Sequence, residues 1–177
     1  MKYKILIVDD ESANLRALER LFRHDYTVLT AESAEEALTL LTHHDFALMI
    51  SDQRMPKMSG IELVQRTVKL RPHMVRILLT GYSDISVLIE AINCGHVYKF
   101  VTKPWNNDDL VLTVTRAIEH YQNIRARHSL EMMNNRLRAR LDEISQLAAL
   151  DDEVLGDPPN LNQVVVNEQE PEFASSH

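Results

Sequence analysis

The sequence predicts an α/β fold in which a parallel β-sheet is covered by helices on both faces. Short apolar runs rich in β-branched residues alternate five times with amphipathic stretches, which is the pattern of repeated strand-helix units. Two of the runs, Ile5-Leu6-Ile7-Val8 and Ile77-Leu78-Leu79, are apolar without interruption, as expected for strands buried on both faces. Because parallel strands need right-handed crossovers, we expect a doubly wound (βα)5 sheet.

The five predicted strands follow one another along the first part of the chain. They are expected at residues 3–8, 26–30, 46–51, 75–80 and 97–102. The last run contains Lys99 in its middle, and a charge there is typical of an edge strand, where it discourages pairing with another chain. We predict the flavodoxin-like strand order 2-1-3-4-5, in which ligands bind beyond the carboxyl ends of the strands.

Each gap between strands contains a residue that commonly caps a helix N-terminus. These residues are Ser12, Ser33, Ser59 and Asp84, and each is expected to open a helix. Ser33 and Glu36 have the spacing of a capping box, in which side chains satisfy the free backbone N–H groups in both directions. The helix after Ser33 is expected to cover the sheet without taking part in any chemistry.

Polar residues stand at the ends of four predicted strands. They are Asp9 and Asp10 after the first strand, Asp52 after the third, Thr80 at the fourth and Lys103 after the fifth. Because the carboxyl ends of parallel strands meet at one edge of the sheet, we expect these side chains to lie close together. Neighbouring carboxylates repel one another unless a dication or a raised pKa relieves them, and purely oxygen ligands favour a hard ion. The sequence therefore predicts a Mg²⁺ site.

The same residues supply the parts that phosphoryl transfer needs. Lys103 offers a compact cation for a phosphate oxygen, and Thr80 offers a hydroxyl donor. A carboxylate can act as the nucleophile and form an acyl phosphate. Taken singly, Asp10 could merely cap the first helix and Phe100 could merely fill the core. The set as a whole favours phosphoryl chemistry.

Longer motifs surround these residues. They are Asp9-Asp10, Ser51-Asp52-Gln53-Arg54-Met55-Pro56-Lys57-Met58-Ser59-Gly60, Leu79-Thr80-Gly81-Tyr82 and Phe100-Val101-Thr102-Lys103-Pro104-Trp105. In the identity and order of these motifs, residues 2 to about 122 resemble the receiver domain of two-component response regulators. The particular residues in the motifs also resemble receivers fused to cyclic-di-GMP phosphodiesterase domains or to hydrogenase-type transcription activators.

The resemblance implies a role for each residue of the predicted site. Asp52 would be the phosphoacceptor, and Lys103 would bind the incoming phosphoryl oxygens. The Mg²⁺ ligands would be the side chains of Asp9, Asp10 and Asp52 together with the backbone carbonyl of Arg54. Receivers also often have a cis peptide bond at this Lys-Pro step.

The resemblance further implies a switch and a partner. Thr80 would be drawn toward the phosphate, and Phe100 would change its packing as Thr80 moves. This movement would alter the face made by the fourth helix, the fifth strand and the fifth helix, whose exposed candidates are Tyr82, Leu88, Tyr98 and Lys99. The phosphoryl donor would be a sensor histidine kinase or a phosphotransfer protein. The chain would not be an enzyme, because it takes up and loses its own phosphoryl group.

Composition bears on where the chain works. The single cysteine, Cys94, excludes both a disulfide framework and a thiolate metal site, and it is expected to be a small buried hydrophobe. Apolar runs are all shorter than the roughly 20 residues that a membrane span needs. The N-terminus leads into a predicted strand rather than a signal peptide. We expect a cytoplasmic protein with no membrane segment.

Two alternatives compete with a complete response regulator. Residues after Lys103 contain no His-Asp metal motif, phosphate loop or DNA-reading helix pair, so the chain could be a receiver fragment of a larger regulator, although its acidic ending favours a natural terminus. A phosphatase of the haloacid dehalogenase type also combines Asp, Thr and Lys around Mg²⁺. That class places its nucleophile after the first strand as Asp-x-Asp, whereas this chain has Asp9-Asp10-Glu11 there, so the order of motifs disfavours it.

The last helix is predicted to continue far beyond the receiver. It should start near Asp108 with Asn106 or Asn107 as its cap, and no Gly or Pro interrupts it before Leu150. Such a helix would be roughly 65 Å long, more than one domain face can cover. Its residues 123–150, the extension, contain a heptad pattern that we call the seam: Leu130, Asn134, Leu137, Leu141, Ile144 and Ala148.

The seam predicts a homodimeric coiled coil. Asn134 falls at a core a position, where asparagine fixes the register of parallel dimers. The alternative is a helix that folds back on its own receiver, because the seam is short. The segment 116–140 holds six arginines against two glutamates, but it lacks a helix-turn-helix, aromatic interleaving and zinc spacing, so a nucleic-acid role is disfavoured.

Charge separates the end of the chain from the rest. The formal net charge is -7, and it resides in residues 151–177, which contain seven acids and no Lys or Arg. Low hydrophobicity and this charge predict a disordered tail. The predicted organisation is therefore a receiver domain at 1–122, the extension at 123–150 and an acidic tail at 151–177.

Overall fold

The computed structural model describes residues 2–81 and 96–154 of the chain, without the side chains of 149–154. Its sheet has five parallel strands: β1 (Lys4–Val8), β2 (Thr27–Ala31), β3 (Leu48–Asp52), β4 (Val75–Thr80) and β5 (Lys99–Thr102). The strand order is β2-β1-β3-β4-β5. The predicted fold class and strand order are thus confirmed, including the edge position of the strand that contains Lys99.

Four helices are described: α1 (Ser12–Phe22), α2 (Ala34–His43), α3 (Gly60–Leu70) and α4 (Asn107–Val154). The chain divides into two compact units, Met1–Leu130 and Glu131–His177. The predicted boundaries at 122 and 150 stay predictions. The helix expected from Asp84, the side chains of Tyr82, Leu88 and Cys94, and the tail beyond Val154 lie outside the described residues.

Helix starts follow the predicted residues with two corrections. Ser12 is the first residue of α1 rather than its cap, since Glu11 occupies the N-cap position and makes no side-chain cap hydrogen bond. Ser33 caps α2 by accepting from the Glu36 N–H, but the Glu36 carboxylate accepts from the Glu32 N–H instead of closing a capping box. The complete capping box is at α3, between Ser59 and Glu62.

The core forms two layers because successive strand residues point to opposite faces of the sheet. Ile5 and Ile7 belong to a cluster that packs against α1 and the first turns of α4. Leu6 and Val8 belong to a second cluster that packs against α2 and α3. The central strands β1, β3 and β4 are almost entirely buried, whereas β2 and β5 are more exposed, as expected for edges.

Two arginines close the C-terminal ends of helices next to the sheet. Arg71 donates to the carbonyls of Leu41 and His44 at the end of α2. Arg76 on β4 is buried and donates to the carbonyls of Thr67, Arg71 and Met74 around the end of α3. Burial lowers the pKa of Arg76 to about 10. Some of the carbonyls at both helix ends thereby gain hydrogen-bond donors, and cations lie where the helix dipoles are negative.

Within residues 2–81 and 96–154, no helix combines the length and apolar character needed to span a bilayer.

Candidate functional site

Four strand ends bring polar residues to one edge of the sheet. Asp9 directly follows β1, Asp52 ends β3, Thr80 ends β4 and Lys103 directly follows β5. These strands are neighbours in parallel register, so their carboxyl ends lie side by side. The structure therefore places Asp9, Asp52, Thr80 and Lys103 at the edge that the sequence indicated.

Lys103 bridges the two buried carboxylates of the edge. Its Nζ lies 3.0 Å from Asp9 Oδ2 and forms an ion pair with Asp52 Oδ1. Asp9 is 0% exposed and Asp52 is 5% exposed. One ammonium therefore faces two buried acids. When all three groups are ionised, the cluster keeps one excess negative charge, which favours a further cation.

The surroundings shift the pKa values of both members of the ion pair. Burial raises the pKa of Asp52 above its usual value, and the neighbouring Asp9 adds to this rise, while Lys103 and the Arg54 N–H oppose it. Burial by itself would lower the pKa of Lys103, but the hydrogen bonds and charges of Asp52 and Asp9 outweigh it, so that pKa is raised. Lys103 therefore stays a cation at neutral pH.

The loop after β3 holds Asp52 and the start of α3 in close contact. Asp52 Oδ2 accepts from the Arg54 N–H at 2.8 Å, so both carboxylate oxygens of Asp52 have a partner. The Gly60 N–H donates to the Gln53 carbonyl at 3.0 Å. A Cβ on Gly60 would lie 2.3 Å from the Asp52 carbonyl oxygen, so only glycine allows this close approach. The loop also contains Lys57, whose φ of 66° is left-handed.

The two predicted switch residues lie near each other on adjacent strands. Thr80 is buried, and its Oγ1 donates to the Gly81 carbonyl at 3.1 Å. Phe100 pairs with Leu78 in the β4–β5 register and is partly buried against the cluster that faces α2 and α3. Directly before Phe100 along the chain, the side chains of Tyr98 and Lys99 are exposed, as predicted. Lys99 Nζ donates to Thr113 Oγ1 at 3.2 Å. The Lys103–Pro104 bond is cis.

Asp10 differs from the other predicted acids. Its side chain is exposed, whereas Asp9 and Asp52 are buried. Within the described part of the chain, no three His, Cys, Asp or Glu side chains are grouped closely enough to hold a metal ion. The available donors are nevertheless hard oxygens, and Mg²⁺ is usually bound through one or two carboxylates while it keeps several waters. The residues fit Mg²⁺ chemically, provided that Lys103 yields space between Asp9 and Asp52.

Sequence reasoning missed one residue of the site. The Asn14 side chain, on the first turn of α1, places its Nδ2 3.2 Å from Asp9 Oδ1 and 3.1 Å from Asp9 Oδ2. Asp9 Oδ1 also accepts from the Glu11 N–H at 2.9 Å. The available signal was an amide five residues after a strand-end aspartate, which is meaningful only once the turn into α1 is known.

The fold and this edge define a signalling receiver domain. The family model for the response regulator receiver domain matches residues 5–115, and the chain belongs to this family. Receiver domains typically bind Mg²⁺ at their phosphorylation site, and they interact with histidine kinases or phosphotransfer proteins. They are typically signalling modules rather than enzymes. The match leaves the haloacid dehalogenase alternative without support.

Relatives agree with this assignment. The hydrogenase transcriptional regulatory protein HoxA of Cupriavidus necator is 37% identical over 115 residues, which are 65% of this chain and 24% of HoxA. The chain thus spans about a quarter of the length of that curated relative. The match confirms the predicted likeness to receivers of hydrogenase-type activators.

Solved structures share the fold of this chain. The signal receiver domain of an HD domain-containing protein from Pseudomonas fluorescens Pf-5 is 36% identical, with a TM-score of 0.67 over 71% of this chain and 93% of that one. A structure described as adenylate cyclase from Rhodopirellula baltica is 34% identical, with a TM-score of 0.72 over 73% of this chain and 97% of that one.

Proposed function

We propose that this chain takes up a phosphoryl group on Asp52 from a sensor histidine kinase or a phosphotransfer protein. The observation that carries the proposal is the buried Asp52 carboxylate at the sheet edge, paired with Lys103 and adjacent to Asp9. The Arg54 N–H and Lys103 each hold one oxygen of Asp52, which orients the carboxylate before any donor arrives. In the reaction, an Asp52 oxygen bonds to phosphorus as the donor's phosphorus–nitrogen bond breaks.

In this proposal, Mg²⁺ would be held by Asp9, Asp10, Asp52 and the backbone carbonyl of Arg54. Bound there, the ion would neutralise charge on the phosphoryl oxygens during transfer. Asp10 is exposed and would turn inward to join Asp9 and Asp52. Lys103 would then move from the carboxylates to a phosphoryl oxygen, for which its compact and mobile ammonium is suited.

Phosphorylation would switch the protein through Thr80 and Phe100. A phosphoryl group adds acceptor oxygens and negative charge next to Asp52. The Thr80 hydroxyl, which donates to the Gly81 carbonyl, would turn to donate to one of these oxygens instead. Phe100, packed on the neighbouring strand, would fill the space that Thr80 leaves. The signal would emerge on the exposed Tyr98 and Lys99, together with Tyr82 and Leu88.

A small-molecule phosphodonor tests the acceptor directly. The full chain is incubated with acetyl phosphate and Mg²⁺, and its intact mass is measured over time. We expect one added phosphoryl group in the wild type and none in Asp52→Ala. Asp25→Ala removes an exposed aspartate and is the matched control, with wild-type labelling expected. Equal labelling of Asp52→Ala and wild type would exclude Asp52 as the acceptor.

The same preparation tests whether the chain is an enzyme. We propose that it accepts and loses its own phosphoryl group without turning over an external substrate. Incubation with para-nitrophenyl phosphate should release no more product than the Asp52→Ala variant does. Sustained, Asp52-dependent release would instead support a phosphatase.

We propose the cytoplasm as the location of phosphoryl transfer to this chain, because the kinase reaction draws on ATP.

The seam supports a second part of the proposal, a homodimer formed through the C-terminal helix. Its large side chains are exposed: Leu137 by 53%, Leu141 by 62% and Ile144 by 61%. Apolar surface of this kind gains roughly 25 cal/mol per Å² when it is removed from water. A second copy of the same seam would cover it by knobs-into-holes packing.

Asn134 and two arginines favour a parallel pair. In a parallel pair, Asn134 faces its own counterpart and the two amides can hydrogen-bond. In an antiparallel pair, a positions face d positions, so Asn134 would face an apolar residue and its amide would be buried without a partner. Around the centre of an antiparallel seam, Arg138 would also face Arg138 of the second copy, and Arg140 would face its counterpart, with like-charge repulsion. Parallel pairing avoids both problems.

Light scattering measures the oligomeric state and shows whether a phosphoryl mimic changes it. The full chain is measured with and without beryllofluoride, a phosphoryl mimic, in the presence of Mg²⁺. We expect the dimer fraction to change when the mimic binds wild type and to stay constant in Asp52→Ala. A monomer at all accessible concentrations would support the alternative in which the helix folds back on its own receiver.

A second candidate is that the chain is the receiver part of a larger regulator. The observation that favours it is the match to about a quarter of HoxA. In that case, the phosphoryl chemistry would be unchanged and the output would lie in the longer protein. We propose no nucleic-acid or membrane partner for the residues present.

A further inference from the structure

The Asp9 carboxylate is held by three donors of different kinds. The Glu11 N–H donates to Oδ1 at 2.9 Å, and Lys103 Nζ donates to Oδ2 at 3.0 Å. Asn14 Nδ2 lies 3.2 Å from Oδ1 and 3.1 Å from Oδ2, so one amide nitrogen spans both oxygens. A carboxylate accepts only, so the amide must present its nitrogen rather than its oxygen here. Asn14 therefore fixes the rotation of the carboxylate plane.

Asn14 and Lys103 differ in how many acids they serve. Lys103 is shared, because it contacts both Asp9 and Asp52. Of the site acids in the described part of the chain, Asn14 is seen to contact Asp9 alone. If Lys103 moves toward a phosphoryl group, Asp9 loses its cation and one of its orienting contacts. The contact from Asn14 does not depend on that movement, because Asn14 is on α1 rather than after β5.

We propose that Asn14 is a positioning residue that keeps Asp9 oriented for Mg²⁺ when Lys103 leaves it. This inference rests on the proposed Mg²⁺-dependent phosphoryl acceptance. Groups that hydrogen-bond to metal ligands orient them, and their loss typically lowers metal affinity about 10- to 100-fold. Asn14 would act through Asp9 and would touch neither the ion nor the phosphoryl group.

The chemistry of an amide suits this task better than the chemistry of a cation. A lysine at position 14 would neutralise Asp9 and compete with Mg²⁺ for it. An apolar residue would leave the buried carboxylate with fewer donors and a less defined rotation. The amide donates hydrogen bonds while leaving the negative charge of Asp9 intact for the ion. In this arrangement, the neutral Asn14 amide orients Asp9, whereas Lys103 neutralises its charge.

The inference predicts opposite effects at the two donors. Asn14→Ala and the size-matched Asn14→Leu should weaken Mg²⁺ binding by about tenfold or more. Lys103→Ala should strengthen Mg²⁺ binding, because it removes the cation that occupies the space between Asp9 and Asp52. A merely structural role for Asn14 would lower stability without this selective change in metal affinity.

Isothermal titration calorimetry of the full, unphosphorylated chain with MgCl₂ measures the affinity without relying on activity. Ser12→Ala is the matched control, because Ser12 is exposed on the same first turn and its hydroxyl contacts Arg16 rather than Asp9. Urea unfolding with EDTA shows whether each variant is folded. The Mg²⁺ concentration for half-maximal acetyl phosphate labelling should rise in Asn14→Ala, while the rate at saturating Mg²⁺ should stay near the wild-type rate.

The outcomes separate the two proposals. Weaker binding in both folded Asn14 variants, with Ser12→Ala like wild type, supports the positioning role. Wild-type affinity in folded Asn14→Leu and Asn14→Ala overturns the role of Asn14 and leaves the proposed function standing. A wild-type chain that binds no Mg²⁺ overturns both.

Discussion

The site at the sheet edge and the seam of the extension differ in which kind of side chain is exposed to water. At the edge, the carboxylates of Asp9 and Asp52 are buried and the partly buried Lys103 pairs with both, while the Arg54 N–H and Asn14 supply further donors. In the seam, apolar groups are exposed, as with Leu141 and Ile144 at 62% and 61%. Within the described residues, no buried side-chain polar atom lacks a hydrogen-bond partner, so the polar groups at the edge are satisfied even though one excess negative charge remains.

This difference indicates what kind of partner each region would accept. A buried ion cluster is stable only when its partners are present, and at the edge the chain supplies them. Exposed leucines at heptad spacing gain nothing until another surface covers them. Under the proposed function, the edge would respond to an added charge and the seam would respond to association.

The largest expected effect comes from charging the seam. The double variant Leu137→Asp with Leu141→Asp would place carboxylates in the core of a dimer, where each costs several kcal/mol. We expect the dimer dissociation constant to rise more than about 100-fold, which corresponds to roughly 2.7 kcal/mol. Analytical ultracentrifugation measures the constant, and acetyl phosphate labelling should be unchanged.

Met132→Asp is the control for charge alone, because Met132 is exposed on the same helix but lies outside the seam. Its dissociation constant should stay close to that of the wild type. If both variants associate as the wild type does, the seam is not the interface.

A smaller effect is expected at the close contact between Gly60 and Asp52, the proposed phosphoacceptor. The added Cβ in Gly60→Ala would meet the Asp52 carbonyl oxygen at 2.3 Å and Leu78 Cδ2 at 2.9 Å, so the backbone must shift. Overpacking of this kind costs about 1–3 kcal/mol in the free energy of unfolding. Urea unfolding measures that loss, and labelling of Asp52 should slow.

Gly81→Ala is the matched control, because nothing lies within 4 Å of a Cβ at that position. Its stability should stay within about 0.5 kcal/mol of the wild type. A loss in Gly81→Ala as large as in Gly60→Ala would show that glycine flexibility, rather than the contact, is what matters.

The capping box of α3 should contribute somewhat less. Ser59 accepts from the Glu62 N–H and Glu62 accepts from the Ser59 N–H, so Ser59→Ala leaves an N-terminal donor without its partner. We expect a loss of about 1 kcal/mol in the free energy of unfolding. Ser12→Ala should cost less, because Ser12 is inside α1 and does not cap it. Equal losses in the two variants would mean that the N-cap position of Ser59 contributes no extra free energy of unfolding.

The smallest expected effect is electrostatic, and its sign follows from the raised pKa of Asp52. Because burial raises that pKa above the usual 3.8, the protonated form is favoured by folding, and this stabilisation is lost as pH rises through the folded pKa. Asp52→Asn should therefore have a higher Tm than the wild type at pH 7, and the difference should shrink toward pH 4 or below. A lower Tm at pH 7 would show that attraction to Lys103 outweighs burial.

Much of the fold could be predicted because its signals are local. Apolar runs at regular spacing indicated the strands, and their ends were placed within two residues of those observed. Lys99 indicated an edge strand because a charge disfavours burial on both faces. The complete capping box was assigned to Ser33 instead of Ser59, because the Glu36 carboxylate takes the Glu32 N–H and the spacing alone cannot show this competition.

The sequence predicted which residues form the site more readily than it predicted how their side chains are arranged. Asp9, Asp52, Thr80 and Lys103 could be proposed because parallel strands end at a common edge. The exposure of Asp10 and the bridging position of Lys103 depend on side-chain directions after each strand, which residue order does not specify. Asn14 was missed because five residues separate it from Asp9 and only the turn into α1 closes that distance.

Residue order was sufficient for the strand-helix alternation, the family and the heptad pattern, since each depends on periodicity or on a short motif. The strand order was predicted as a common arrangement of doubly wound sheets, and the structure has that order. Three-dimensional packing was needed to show that one ammonium holds two buried carboxylates, that Asn14 spans both oxygens of Asp9 and that Gly60 touches the Asp52 carbonyl. These contacts join segments that are far apart along the chain or are separated by a turn. Their distances follow from how the sheet and helices pack, which no local pattern encodes.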